Sequence, residues 1–231
     1  MSRAANTKFE IPTRAHRLKE LRTPREAVRQ AVLWPKFLAA PTGDGRATLL
    51  FPGFGTNDLA MIPLRSFLSN RGHRAEGWGL GTNNGDIDRL LEGSADLVRQ
   101  RYETTGRKVN IVGWSLGGVF AREIARELPA MVHKAATFGT PLHGPRFTGS
   151  LHPYSEAELQ YIESQIEKRR TQPIEVPLTT IYSSNDGIVN WQTCIDHESP
   201  NNKNVKVTST HIGMGVDPEV WLLLAEFFAE G

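Results

Sequence analysis

The run Val109-Asn110-Ile111-Val112-Gly113-Trp114-Ser115-Leu116-Gly117-Gly118 constrains this chain more than any other segment. Three of its first four residues are apolar and β-branched, which reads as a buried strand, and an amphipathic helical pattern starts at Leu116. Between them lies a Gly-x-Ser-x-Gly turn with no room for a loop. A serine at so sharp a strand-to-helix turn is held in a strained backbone conformation. The positions two before and two after it must then lack side chains, and they are Gly113 and Gly117. Gly118 lets the helix close against neighbouring strands. Such a turn lifts the Ser115 hydroxyl over the carboxyl edge of a parallel sheet, where ligands approach.

The rest of the chain agrees with a parallel sheet. From about residue 46, short apolar runs alternate with longer amphipathic ones. The runs predict six strands, at Arg46 to Phe51, His73 to Trp78, Val109 to Gly113, Lys134 to Phe138, Leu178 to Ser183 and Asn204 to Thr208. Helices are expected at Asp58 to Asn70, Asp86 to Tyr102, Leu116 to Leu128, Glu156 to Arg169 and Pro218 to Ala229, the last with Asp217 as its cap. The expectation is one α/β domain over residues 1–231, with helices on both faces of a mostly parallel sheet. Pro141 to Pro177 is the longest connection and reads as a small cap inserted at the sheet's edge (141–177).

Composition matters here chiefly for what it excludes. Cys194 is the single cysteine, so an internal disulfide framework and a structural zinc site are ruled out, and no other metal or cofactor is expected. The longest apolar run, Val220 to Ala225, is far too short to span a bilayer, and the first residues lack an apolar signal stretch. A cytoplasmic protein is expected. The net charge of +2 is unevenly spread: the first 40 residues hold nine Lys or Arg against three acids, whereas the remainder holds 18 basic and 22 acidic residues. Residues 1–45 thus read as a basic helical arm on a mildly acidic body. Such an arm suits weak contact with an anionic membrane surface, with a solvated helix face as the plainer reading and no nucleic acid expected. Within it, Ala27, Val28, Ala31 and Val32 form a helical apolar stripe, expected to dock on the core.

A serine hydroxyl is a poor nucleophile at neutral pH and needs a histidine base oriented by a carboxylate. After a nucleophile on this kind of turn, the acid and then the histidine follow in chain order. Asp186 stands immediately after the fifth strand, and His211 follows the sixth, so all three fall at one sheet edge. Asp196 and His197 are a weaker pair, because adjacent residues cannot readily stack in a relay. His143 and His152 lie in the cap and read as surface residues. Two backbone N–H groups should receive an oxyanion, one from Leu116 and the other from Phe54 in the glycine-flanked Pro52-Gly53-Phe54-Gly55 loop. Neither that loop nor Gly77, Gly79 and Gly81 has the third glycine of a dinucleotide-binding turn.

With these residues in view, the chain resembles the α/β-hydrolase superfamily from about residue 46 onward, and within it bacterial serine esterases and lipases. The segments carrying the likeness are Phe51 to Gly55, Gly77 to Gly81, Gly113 to Gly118, Asp186 to Val189 and His211 to Gly215. The family usually has eight strands, and here the basic arm stands in place of the first two. Many lipases carry His-Gly where this chain has Pro52-Gly53. The resemblance implies a carboxylic ester hydrolase with a Ser115–His211–Asp186 triad and a small-molecule ester substrate. A serine at the elbow argues against dehalogenase and epoxide-hydrolase chemistry. The short, charged cap points to short- to medium-chain esters. A lipase at a membrane surface, an acyltransferase or thioesterase, and a noncatalytic binding protein are the alternatives.

Overall fold

The computed structural model describes residues 9–149, 155–170 and 172–229. Its strands are β1 (Ala47–Phe51), β2 (Arg74–Gly77), β3 (Val109–Trp114), β4 (Val132–Phe138), β5 (Leu178–Ser183) and β6 (Asn202–Val207). They form one six-stranded sheet in the order β2-β1-β3-β4-β5-β6, every neighbouring pair parallel. The helices are α1 (Arg14–Leu18), α2 (Thr23–Ala39), α3 (Asp58–Asn70), α4 (Ile87–Thr105), α5 (Leu116–Glu127), α6 (Glu156–Arg170) and α7 (Pro218–Ala229).

The apolar strands are buried on both sides, which is why they read as runs rather than as an alternation. Successive side chains of β1 go to opposite layers. Leu50 joins Val112, Ile181 and Val207 in a core under α3 and α7, while Leu49 and Phe51 join Ile111 and Leu178 in a second core under α4 and α5. The sheet is thus sandwiched between two helical layers. Asp217 opens α7, its carboxylate accepting the Glu219 N–H at 2.9 Å.

The sixth strand begins two residues earlier than expected. Asn202 and Asn204 look like turn residues, but their side-chain amides donate to the Asp196 carbonyl (3.3 and 2.7 Å) and so are tied into the sheet's border.

The apolar stripe of the arm does not dock on the core. Val28 and Val32 are 67% and 73% exposed and Ala31 is exposed as well, while the Ala27 side chain lies outside the described ones. The arm is instead anchored by its opposite side. Phe37 packs between Phe67 of α3 and Trp221 of α7, Gln30 donates to the Val216 carbonyl at 2.6 Å, and Arg29 pairs with Asp217 and Glu219. The outward turn of the apolar side follows from these anchors, because Glu26, Gln30 and Phe37 share one helix face and α2 cannot bury both.

Residues 141–149 lie against the loop after β5, through Leu142 N–H to the Thr193 carbonyl (2.8 Å) and Gly149 N–H to the Ile188 carbonyl (2.6 Å). Arg146 then ties α6 to this stretch by ion pairs with Glu156 and Glu163.

Candidate active site

Ser115 follows β3 directly and precedes α5. Its φ of 53° and ψ of −121° make it the one non-glycine residue with positive φ among those described. That conformation costs on the order of 1–3 kcal/mol and persists only where the surroundings enforce it. Here they do so through close approach. A Cβ at Gly113 would overlap the Gly117 carbonyl, and one at Gly117 would overlap the Phe51 carbonyl. The Ser115 N–H donates to the Phe138 carbonyl at 2.9 Å, pinning the turn to β4. Leu116 is the first residue of α5, where N–H groups have no intrahelical acceptor.

The loop after β1 passes over this turn: a Cβ on Gly53 would sit 3.4 Å from the Ser115 Cβ. The loop is held by Asn83, a fully buried residue without a sequence signature. Its side chain donates to the Pro52 carbonyl (2.8 Å), and its backbone exchanges bonds with Gly55 and Thr56 (2.7 and 2.8 Å). Phe54, at the loop's outer side, is 37% exposed.

Asp186 and His211 meet at the same edge. His211 Nδ1 lies 2.7 Å from Asp186 Oδ2, and the other carboxylate oxygen accepts the N–H groups of Ile188 and Val189 at 2.9 and 2.7 Å. With Nδ1 facing a carboxylate, its proton belongs there, which leaves Nε2 as the acceptor. The His211 ring packs against the Trp114 indole, with centroids 6.0 Å apart, and against Gly139. Gly139 has φ +60°, and a Cβ there would come 3.0 Å from His211 Nδ1, so both its backbone angle and its lack of a side chain are required. Burial alone would lower the His211 pKa, but the charge and hydrogen bond of Asp186, with a further contribution from Glu20, raise it above the ordinary histidine value. Among the described residues, no hydrogen bond joins the Ser115 hydroxyl to His211. Bonds between a nucleophile and its base are commonly long until a substrate is in place.

Glu20 belongs to the arm, and its place in the site was not foreseen. One of its oxygens accepts the N–H groups of Gly187 (2.8 Å) and His211 (2.9 Å), and the other accepts the N–H of Ile212 (2.9 Å). A single carboxylate therefore clamps the loop of Asp186 to the loop of His211. Lys19 adds a bond to Asn185 (3.3 Å), and Thr23 meets the Thr210 hydroxyl at 3.0 Å. The only hint in the sequence was that Glu20 is one of three acids in the otherwise basic first 40 residues.

The alternative pair comes apart. Asp196 is engaged with Arg122 Nη2 at 2.5 Å, both side chains being buried. His143 packs at a tilt against Phe9 of the arm, with ring centroids 4.9 Å apart, and His152 lies outside the described residues.

No protein-family model matches the chain, and no curated protein matches it in sequence. Solved structures do match in backbone. Lipase B of Aspergillus fumigatus superposes with a TM-score of 0.64 at 18% identity, over 82% of this chain but 54% of that one, so this chain spans about half of its length. The carboxylesterase CesB of Bacillus subtilis gives 0.57 at 14% identity, over 90% of this chain and 99% of that one. The monoacylglycerol lipase of Paleococcus ferrophilus gives 0.60 at 15%, over 82% and 96%. The chain has the α/β-hydrolase fold.

Proposed function

We propose that this protein with the α/β-hydrolase fold is a serine hydrolase that cleaves carboxylic esters through an acyl-enzyme. One observation carries the reading: the strained Ser115 turn stands at the same sheet edge as a buried Asp186–His211 hydrogen bond of 2.7 Å. Strain at a single non-glycine residue, next to a base whose tautomer is fixed, is an arrangement that acyl transfer needs and that packing alone does not.

In this mechanism the Ser115 hydroxyl attacks the acyl carbonyl while His211 Nε2 takes its proton. Asp186 holds the ring and stabilises the imidazolium. The oxyanion is received by the N–H groups of Leu116 and Phe54. His211 then protonates the departing alcohol, and water repeats the sequence to release the acid. Glu20 acts as a positioning residue, fixing the backbone of both loops and adding negative charge near the imidazolium. The segment 141–177 serves as the cap, and its charged α6 favours short- to medium-chain acyl groups.

A panel of p-nitrophenyl esters of increasing acyl length tests this. Replacing Ser115 by Ala is expected to lower turnover by about 10⁴ to 10⁶-fold. Comparable activity in that variant would remove the mechanism, and a preference for long chains would remove the reading of the cap.

A further inference from the structure

Helix α2 is turned inside out for a surface helix. At 100° per residue, the exposed residues Val28, Ala31, Val32, Pro35 and Leu38 occupy one continuous strip, with Arg25 and Lys36 along its edge. The three largest of these, Val28, Val32 and Leu38, are 67%, 73% and 64% exposed. The preceding turns extend the patch with Leu18 (65%) and Leu21 (77%), next to exposed Arg14, Arg17 and Arg22. Charge is sorted in the same sense. Both acids of residues 13–40 face the body: Glu26 is buried, and Glu20 is engaged with the loops after β5 and β6. The outward side of residues 13–40 therefore carries cations and apolar side chains, and no carboxylate.

From this sorting we infer that the outer face of the arm binds the surface of an anionic lipid bilayer. A helix lying flat in an interface needs an apolar strip that enters the acyl boundary and a basic rim that meets the headgroups, and α2 has both. A second copy of the chain fits less well, since joining this face to itself would bring two basic rims together. No helix among the described residues is long and apolar enough to cross a membrane, so the contact is a peripheral one. This inference goes beyond ester hydrolysis and does not depend on it.

The test is cosedimentation of the full chain with vesicles of phosphatidylcholine alone and of phosphatidylcholine mixed with phosphatidylglycerol. Binding is expected only to the anionic vesicles, and it is expected to fall as salt is raised. Val28→Ser combined with Val32→Ser is expected to weaken it about tenfold with the unfolding temperature unchanged, because both residues already face solvent. Arg25→Gln combined with Lys36→Gln is expected to weaken it and to flatten its salt dependence. Ser115→Ala is expected to bind like the parent, which separates this result from the chemistry. The inference is overturned by absent binding to anionic vesicles, by equal binding to neutral ones, or by serine variants that bind as the parent does. It is also overturned by self-association in solution that the serine variants abolish, which would assign the face to a second copy.

Discussion

Two buried aspartates near the edge of the sheet have the same local architecture and different partners. In Asp186, one oxygen accepts the N–H groups two and three residues ahead and the other faces His211. In Asp196, one oxygen accepts the N–H groups of Glu198 and Ser199 (2.8 and 3.1 Å) and the other faces Arg122. The turn that fixes a carboxylate is thus not what makes it a candidate for chemistry. A guanidinium keeps its proton at any working pH, so the Arg122–Asp196 pair is a strut between α5 and the border of β6. An imidazole gains and loses its proton near neutrality, so the Asp186–His211 pair can take part in proton transfer.

The sharpest way to break this comparison is kinetic. Asp186→Asn is expected to lower kcat by about 10⁴-fold, because an amide no longer selects the useful tautomer. Asp196→Asn should leave turnover per folded molecule within a fewfold of the parent. Equal losses in the two variants, measured on one ester, would erase the distinction.

Stability should show the reverse order. Asp196→Asn leaves a buried guanidinium without its counter-charge and is expected to cost about 3 kcal/mol in urea unfolding, more than Asp186→Asn does. Replacing both partners, Arg122→Met with Asp196→Leu, should recover most of that loss, since a well-packed apolar pair avoids the desolvation cost.

A third contrast lies in pH. Burial alone would raise the Asp196 carboxyl, but the charge and hydrogen bond of Arg122 hold it far below the usual carboxylate range. Its stabilisation is therefore complete above the ordinary value of 3.8 and is lost as pH falls through the depressed folded value. For His211, raised from 6.5, the sign is opposite. Its contribution is fully present below 6.5 and disappears as pH rises through the elevated folded value. The proposed activity needs the neutral ring, so the acid limb of kcat/KM should lie above the ordinary histidine value.

The smallest expected effect tests the arm. Glu20→Gln removes the charge of the clamp and sets an amide NH2 on one side of it, where Glu20 accepts an N–H. It is expected to shift the acid limb toward lower pH and to reduce kcat by about tenfold with KM little changed. Asp196→Asn should leave the limb where it is. An unmoved limb in Glu20→Gln would reduce Glu20 to a purely structural tie.

These contrasts also mark how far the sequence could be read. The positions of Ser115, Asp186 and His211 were legible because each is tied to a local pattern, a glycine-flanked turn or the end of an apolar run. The four inner strands, β1, β3, β4 and β5, were legible for the same reason, their burial on both sides leaving runs of largely apolar residues. Glu20 was not legible. Its partners lie 167 to 192 residues away, and nothing in the arm's own periodicity names them. The Arg122–Asp196 pair was hidden likewise, with Asp196 drawing attention instead to its neighbour His197. The outward stripe of α2 failed for another reason. Its helical period was read correctly, but the rule that apolar faces turn inward gave way to anchoring by Phe37, Gln30 and Arg29.

The Glu20 clamp also sets an order of events during synthesis. The arm is made before the body, yet the three N–H groups its carboxylate holds belong to residues 187, 211 and 212. Sequence separation of this size delays closure until residue 212 is available. The loops of the candidate acid and base can be locked together only after residue 212 has been added. A partly synthesised chain that stops short of residue 212, even one with its Ser115 turn in place, would remain without the tie between the arm and the His211 loop.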